Sequence, residues 1–357
     1  MSLFNVRVDI EGESYEGWVS FQITQSLNNV VHEFTMTTTD TENEGISKFN
    51  KFGGSVADVY YNDELVVTGY IQGVSGGYSA GTNNAQRTKT IRGNSDAIDL
   101  VQCGHKGPYF WRLVPARTII EDVTRPFGLR VQINATLEDI PYEGFRVAVD
   151  ESPYDIIKKI AERNGLLIYS QGDGSRITID EDIPSNPLTE LTTGHYFSIN
   201  VDQNYDESFS EVLVKFQNNA AKLEPAVSDK LIENTSVLRY RPITMIASAT
   251  ESQTDKLAQY IERRLTGDTV SAVVSLKTPF DKKGNLYRVG QRVWLNDEYE
   301  EVDQELMVDE ITHSLDTSNG FVCTLSLKIP ETYGIKSTDI VTARRAIGRF
   351  GDVTKSF

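Results

Sequence analysis

From residue 4 to residue 40 hydrophobic side chains recur at every second position: Val6, Val8 and Ile10, then Val19, Phe21 and Ile23, then Phe34 and Met36. A period of two puts successive side chains on opposite faces of a strand, so each segment has one apolar and one polar face. The alternation breaks at "EGES" and "SLNN", which carry turn-forming residues, and the stretch therefore predicts half-buried strands joined as hairpins. Further strands are expected after "KFGG", through Val56, Val59, Leu65, Val67, Tyr70 and Ile71. Residues 75–88, "SGGYSAGTNNAQRT", are rich in Gly, Ser and Asn and read as a solvated hairpin tip. "KTIRGNSD" closes this first all-β unit, expected to span residues 1–98.

One element occurs twice. Residues 54–64 read "GSVADVYYNDE" and residues 290–298 read "GQRVWLNDE". Each ends in a hydrophobic pair and Asn-Asp-Glu, and each precedes a second strand-like run, "LVVTGYIQGVSGGYS" in one case and "QELMVDEITHSLD" in the other. Asn and Asp accept left-handed backbone and bond to their own chain, so the shared triplet reads as turn chemistry. Its recurrence argues for a repeated fold rather than a repeated active site.

Between the two copies the pattern changes. In "PARTIIEDVTRPFG", Pro115 suits a first helical turn, Ile119, Ile120, Val123 and Phe127 form an apolar face, and Gly128 stops the helix. "ESPYDIIKKIAERNG" predicts a helix with Ser152 as cap, Pro153 in the first turn, Asp155 at the capping-box position and Gly165 at the end. Tyr154, Ile157, Ile160 and Ala161 share its buried face, and a hairpin turning at Gly172–Gly174 follows. Residues 99–196 are thus expected to be a smaller α+β domain. Strands return in residues 197–330, with one capped helix using Ser252 and Asp255, an apolar face of Leu257, Ile261 and Leu265, and Gly267 as stop. Residues 331–357, containing "DIVTARRAIGRF", read as a short C-terminal helical segment. The expected fold class is mainly β with α+β: two similar β-barrel domains, the α+β domain and that segment.

At 357 residues the chain has room for two or three domains, each with its own core. Its 35 Lys and Arg against 51 Asp and Glu give a net charge of −16. Binding nucleic acid as a ligand requires clustered cations that displace counterions, and the densest basic stretches, "YIERRL" and "TARRAIGRF", read as helix faces. No run is long and apolar enough to span a bilayer, and the N-terminus lacks a basic n-region followed by an apolar one, so no membrane insertion or signal peptide is expected. Cys103 and Cys323 could pair, but two lone cysteines far apart read as buried thiols of a protein made in a reducing compartment.

Chemistry is hard to find. His32, His105, His195 and His313 form no metal-type pair, and Cys103 with His105 has no second cluster to complete a site. There is no nucleophile elbow, and "YSQGDGSR" is a turn rather than a phosphate loop. Carboxylates abound in "DIEGESYEG", "DEDIP" and "NDEYEEVDQE", and they read as solvation. No catalytic, cofactor-binding or metal residue is assigned, no cofactor is expected, and the chain is expected not to be an enzyme.

The stretch "LYRVGQRVWL", an acidic turn, "ELMVDEITHSLD" and then "NGFVCTLSLKIPETY" resembles the baseplate hub proteins of contractile phages of the Mu-like type, also met in prophages. "SPYDIIKKIAERNGLLIYS" is similar to the corresponding helix of late-control tail proteins and of the hub part of type VI secretion spike proteins, and "VVTGYIQGV" fits the first domain of the family. The resemblance implies a structural hub in the virion tail baseplate, assembled in the bacterial host cytoplasm. It implies a homotrimer that joins a six-fold tail tube to a three-fold central spike, touches other baseplate proteins and encloses a channel through which DNA passes without specific binding. Two similar β-barrels per subunit would adapt six to three, which accounts for a hairpin present twice. The rival from another class is an all-β glycan hydrolase or glycan-binding module at the host surface, which would need paired carboxylates in a cleft.

Overall fold

A computed structural model describes residues 6–40, 53–80, 85–135, 144–170, 172–183, 188–204, 209–217, 227–233, 239–248, 270–316 and 320–333, with positions 237, 258, 260, 261 and 264. The chain is mainly β with few helices and divides into two compact units, Met1–Glu181 with Glu310–Cys323, and Asp182–Asp309 with Thr324–Phe357. The first contains strands β1 (Val6–Ile10), β2 (Glu13–Tyr15), β3 (Ser20–Ser26), β4 (Glu33–Asp40), β5 (Val56–Tyr61), β6 (Glu64–Ala80), β7 (Ala85–Ser95), β8 (Phe110–Trp111), β9 (Arg130–Ile133), β10 (Phe145–Arg146), β11 (Leu167–Ser170) and β12 (Arg176–Asp180), and helices α1 (Ile98–Gln102), α2 (Ala116–Thr124) and α3 (Pro153–Arg163). The second contains β13 (Thr189–Thr192), β14 (Ser198–Gln203), β15 (Glu211–Gln217), β16 (Val227–Glu233), β17 (Pro242–Ser248), β18 (Val270–Leu276) and β19 (Arg292–Asp297). Strands β20 (Val302–Asp316) and β21 (Gly320–Lys328) contribute to both, since the chain leaves the second unit at residue 309 and returns to it at residue 324.

In the first unit the main sheet runs β2-β1-β5-β6-β7-β4-β3, and residues 310–315 of β20 pair antiparallel with β3. The period of two is realised as expected. Val6, Val8 and Ile10, Phe21 and Ile23, Phe34 and Met36, and Ile91 are buried, while the intervening polar and charged side chains, among them Arg7, Asp9, Gln22, Thr35 and Arg92, face the other way. The expected closed barrel is corrected to an open sheet: no pairing among the described residues joins its ends. The edge strand β2 shows why, because Glu13 and Ser14 are exposed and Tyr15 only half-buried, so this short charged strand offers no apolar face to wrap.

Residues 75–88 differ from the expected tip. Strands β6 and β7 run through most of them, in register from Ser75 opposite Thr90 to Ala80 opposite Ala85, and only residues 81–84 lie outside the described residues. The glycines that suggested looseness make room. A Cβ at Gly76 would stand 2.7 Å from the Lys89 side chain, and one at Gly73 3.4 Å from Arg92 Nη2. Backbone hydrogen bonds hold this ribbon, and they need no side chain on the glycine strand.

The helices follow their local signals. Helix α2 starts after Pro115, buries Ile119, Ile120 and Val123, continues as a 3-10 turn over Arg125–Phe127, and ends at Gly128 with φ 66°. Helix α3 has the full capping box, Ser152 Oγ accepting from the Asp155 amide at 3.1 Å and Asp155 Oδ2 accepting from the Ser152 amide at 3.4 Å. Ile156, absent from the expected face, is buried beside Ile157, Ile160 and Ala161. These helices pack on the β11-β12-β9 sheet in one core with Ile177 and Ile179.

In the second unit β14, β18, β21 and β20 are successive neighbours, β19 pairs antiparallel with β20, and β13 pairs parallel with β19. This sheet is open too, which corrects the second expected barrel. A separate sheet, β16-β15-β17, buries Val212, Val214 and Ile232 against Ala258, Tyr260 and Ile261, and positions 258, 260, 261 and 264 are helical. Ser252, Asp255, Leu257, Leu265 and Gly267, the remaining marks of that helix, lie outside the described residues. So does the C-terminal helical segment, apart from a 3-10 turn at Pro330–Tyr333.

Candidate functional site

The repeated hairpins are the natural place to look. Both exist, and both are the first two strands of a meander: β5-β6-β7 in one case, β19-β20-β21 in the other. In each the second strand is long, 17 residues in β6 and 15 in β20. The turns differ. In the first, Tyr61 pairs with Glu64, so Asn62 and Asp63 are the turn, at φ 46° and 69°. Two left-handed residues form the turn whose twist matches paired strands. In the second, Asn296 and Asp297 are still in the strand, opposite Asp303 and Val302, and residues 298–301 make the turn.

Asp297 nevertheless does turn chemistry. Its Oδ1 accepts from the Tyr299 and Glu300 amides at 2.9 and 2.8 Å, while Oδ2 accepts from Tyr196 Oη and, at 3.4 Å, from Thr193 Oγ1. The Tyr196 hydroxyl, then the Glu300 amide, hold its carboxyl below the usual carboxylate range. At the base of the same hairpin Arg292 Nη1 donates to Glu305 Oε1 at 3.0 Å, both side chains nearly fully buried, and Nη2 reaches Asp182 at 3.4 Å. The first hairpin carries only a surface counterpart, Arg7 Nη1 donating to Asp63 at 2.8 Å, with Asp63 almost fully exposed.

The histidines are core and turn residues. His32 lies beside Gln25, and burial pushes its pKa down to about 4 despite the nearby Asp173. His313 is fully buried, packed edge-on against Tyr61 at 5.5 Å and Phe321 at 6.3 Å, and burial lowers it to about 4 as well. His105 Nε2 sits 3.1 Å from the Pro108 carbonyl and stacks near Trp111, and His195 Nδ1 lies 2.9 Å from the Thr192 amide. Both cysteines are free, but of the two expected buried thiols only Cys323 is buried, its pKa pushed up by that burial, whereas Cys103 is exposed at the end of α1. Among the described residues no group of three His, Cys, Asp or Glu side chains is arranged to hold a metal ion.

Among the described residues Asp96 is a carboxylate perturbed upward: burial, then Asp173, Asp58 and Asp99, raise it to about 6. Its neighbours are committed elsewhere, Asp58 accepting from Thr68 Oγ1 at 2.8 Å and Asp173 from Ser175 Oγ at 2.7 Å. The cluster therefore ties turns and strand ends together. No helix among the described residues is long and apolar enough to cross a membrane.

Comparison with known proteins places this architecture. Residues 5–93 match the family described as Mu phage baseplate assembly protein GpP-like, N-terminal, and residues 97–179 match the second domain of the baseplate hub protein gp44-like family. Among curated proteins none matches the chain by sequence. The fold is similar to the 43 kDa tail protein of prophage MuSo2 from Shewanella oneidensis, at 21% identity and TM-score 0.78, covering 93% of this chain and 100% of that one. It is similar to the tail protein of Neisseria meningitidis MC58, at 16% identity and TM-score 0.76, covering 93% and 98%. It is also similar to the Escherichia coli c3393 protein, a type VI secretion component described as similar to T4 tail proteins gp27 and gp5, at 11% identity and TM-score 0.59, covering 93% and 79%. Residues 5–93 and 97–179 thus match, in tandem, domains of Mu-like phage baseplate proteins, the second of them a baseplate hub domain, and the fold is similar to that of phage tail proteins and a type VI secretion component.

Proposed function

We propose that this chain is the baseplate hub of a contractile phage tail: a homotrimer that joins the six-fold tail tube to the three-fold central spike and encloses a channel for DNA. The two meanders, β5-β6-β7 and β19-β20-β21, are the observation that carries the reading. Each subunit then offers two related β domains, six around a three-fold axis, and closed symmetry limits the assembly to three chains. The domains would be residues 1–98, 99–196 and 197–330, followed by the segment 331–357. Tube protein would bind one face and spike protein the other, other baseplate proteins would flank them, and DNA would pass without specific contact. The protein would reside in the virion tail baseplate after assembly in the bacterial host cytoplasm, and its role would be structural rather than enzymatic. Native mass spectrometry of the full chain at micromolar concentration tests this. A mass of three chains is expected; a monomer would remove the symmetry argument.

A further inference from the structure

The β8-β10 ribbon of the first unit turns outward a set of apolar side chains that the core does not take up. Phe145 stands opposite Trp111, and Arg146 opposite Phe110. Trp111 and Phe145 are buried, whereas Phe110 and Arg146 are exposed, the guanidinium 5.4 Å from the centre of the Phe110 ring. Gly144 leaves room for that ring, since a Cβ there would stand 3.1 Å from Phe110 Cε2. The Val147 amide donates to the Tyr109 carbonyl at 3.1 Å and extends the ribbon by one more pair. Tyr109, Phe110, Leu113 and Val149 are four of the ten large hydrophobic side chains exposed among the described residues, Leu113 at 63% and Val149 at 74%. Exposed hydrophobics scattered singly are ordinary, but four on two short strands and their ends are not scattered.

Leu113 carries a second cost, because its backbone is left-handed at φ 55°. The other non-glycine residues in that conformation among the described residues, Glu11, Asn62, Asp63 and Glu301, are polar and lie in hairpin turns. Left-handed backbone strains a leucine, and with its side chain mostly in water the fold gains little in return. Charge here also runs against the rest of the chain. Residues 103–117 contain Lys106, Arg112 and Arg117, all exposed, and no carboxylate, and residues 144–149 add Arg146. At the margins stand exposed Asp150, buried Glu151, which is paired with Lys159 Nζ at 2.5 Å, and Glu143, which lies outside the described residues. In a chain of net charge −16 the ribbon is basic and apolar at once.

We propose that this ribbon docks a segment of a partner protein that carries apolar side chains among carboxylates. The inference stands on the first unit alone and holds whatever oligomer the chain forms. Protein interfaces concentrate aromatic side chains and arginines at their contacts, and complementary charge selects the partner. A bilayer or a nucleic-acid strand would present an extended run of negative charge to the acidic remainder of the chain as well, whereas a short segment meets the ribbon only. Leu113 and Val149 also have no ring with which to stack on a base.

Selection of displayed random peptides on the immobilised full chain tests this. Peptides that combine Asp or Glu with Leu, Phe or other apolar residues are expected. They should bind at least about tenfold more weakly to Leu113→Gly and to the double variant Arg112→Glu with Arg146→Glu. Glycine suits left-handed backbone, so Leu113→Gly is expected to keep or raise the urea midpoint while losing the peptides. A lower midpoint would mean that the leucine serves the fold, and it would overturn the proposal. So would a selection that yields no peptides, peptides without carboxylates, or equal binding to the variants. Native mass spectrometry of Leu113→Gly addresses a second copy: loss of an oligomer that the parent chain forms would make the ribbon a contact between copies. Binding of a thymidine oligonucleotide or of anionic phospholipid vesicles that the double variant loses would assign the ribbon to nucleic acid or lipid. Either of these results overturns the docking of a partner protein.

Discussion

The two hairpins share their letters and not their turns. After Tyr61, Asn62 and Asp63 are the whole turn, whereas after Leu295 the same pair completes the strand and Asp297 holds a four-residue turn from beside it. What recurs is larger than the triplet: a short strand, a long second strand and a return strand beside it. The first version is fastened at its surface by Arg7 and Asp63, the second in its interior by Arg292 and Glu305. A meander thus tolerates exchange of its turn and its fastening while its strand order persists, because pairing is made by backbone groups common to every residue.

The largest expected difference between the copies follows from those fastenings. Arg292→Ala leaves Glu305 buried and stripped of its nearest cation, a loss of about 3 to 5 kcal/mol. Arg7→Ala removes an exposed pair and is expected to cost less than about 1 kcal/mol. Urea unfolding of both variants reads the contrast directly. Similar midpoints for the two would mean that the interior pair does not fasten the second hairpin.

How much of this was legible from residues follows from the range of each signal. The caps of α3 and the stop at Gly128 were readable because Ser152, Asp155 and Gly128 act within one helical turn. The two hairpins were readable because their alternation and turns are local. The pairing of β20 with β3 joins Thr24 to Thr312, 288 residues apart, and no local pattern announces it. The first sheet stays open at its edge strand β2, whose weakness shows only once its neighbours are known. Nothing in the sequence singled out Arg292: β19 is buried on both faces, so the arginine needed an interior partner, and Glu305 comes from the neighbouring strand. No catalytic set was read from the sequence, and the perturbed Asp96 was missed because its carboxylate neighbours, Asp58 and Asp173, come from distant segments.

Acid sharpens the comparison next. His313, on the long strand of the second hairpin, is neutral when folded, with its pKa near 4 against about 6.5 for an ordinary imidazole. The unfolded chain takes up that proton first, so stability is full above about pH 7 and is lost as pH falls through 6.5 toward 4, by about 2 kcal/mol at pH 5. His32 acts in the same direction. Asp96, just past the return strand of the first hairpin, acts oppositely: its raised pKa lets the folded state take the proton first, so stability rises as pH falls from 6 toward 4. Half-exposed as it is, its share is below about 1 kcal/mol. His313→Phe, which keeps a ring between Tyr61 and Phe321, should therefore remove about half of the acid loss. Asp96→Asn should make that loss steeper. Urea midpoints at pH 7 and pH 5 measure both, and an unchanged slope in His313→Phe would mean that the ring is already protonated or solvated.

The smallest effect is the most direct test of the turns, because one substitution is made at matching letters. Asp63→Gly places the residue best suited to a left-handed second turn position and gives up only an exposed ion pair, so the two changes nearly cancel within about 0.5 kcal/mol. Asp297→Gly has no such compensation. Asp297 is not in left-handed backbone, so glycine brings only added freedom to the unfolded chain. Its carboxylate meanwhile receives two turn amides and the Tyr196 hydroxyl, and losing these partners costs about 1 to 2 kcal/mol. Asp297→Asn separates charge from geometry, since the amide oxygen still accepts from Tyr299 and Glu300 and should recover part of the loss. If Asp63→Gly and Asp297→Gly shift the urea midpoint alike, the turns are equivalent in solution and the register difference at Asn296 and Asp297 has no energetic weight. A shift confined to Asp297→Gly means that the hairpin was kept twice while its turn was rebuilt.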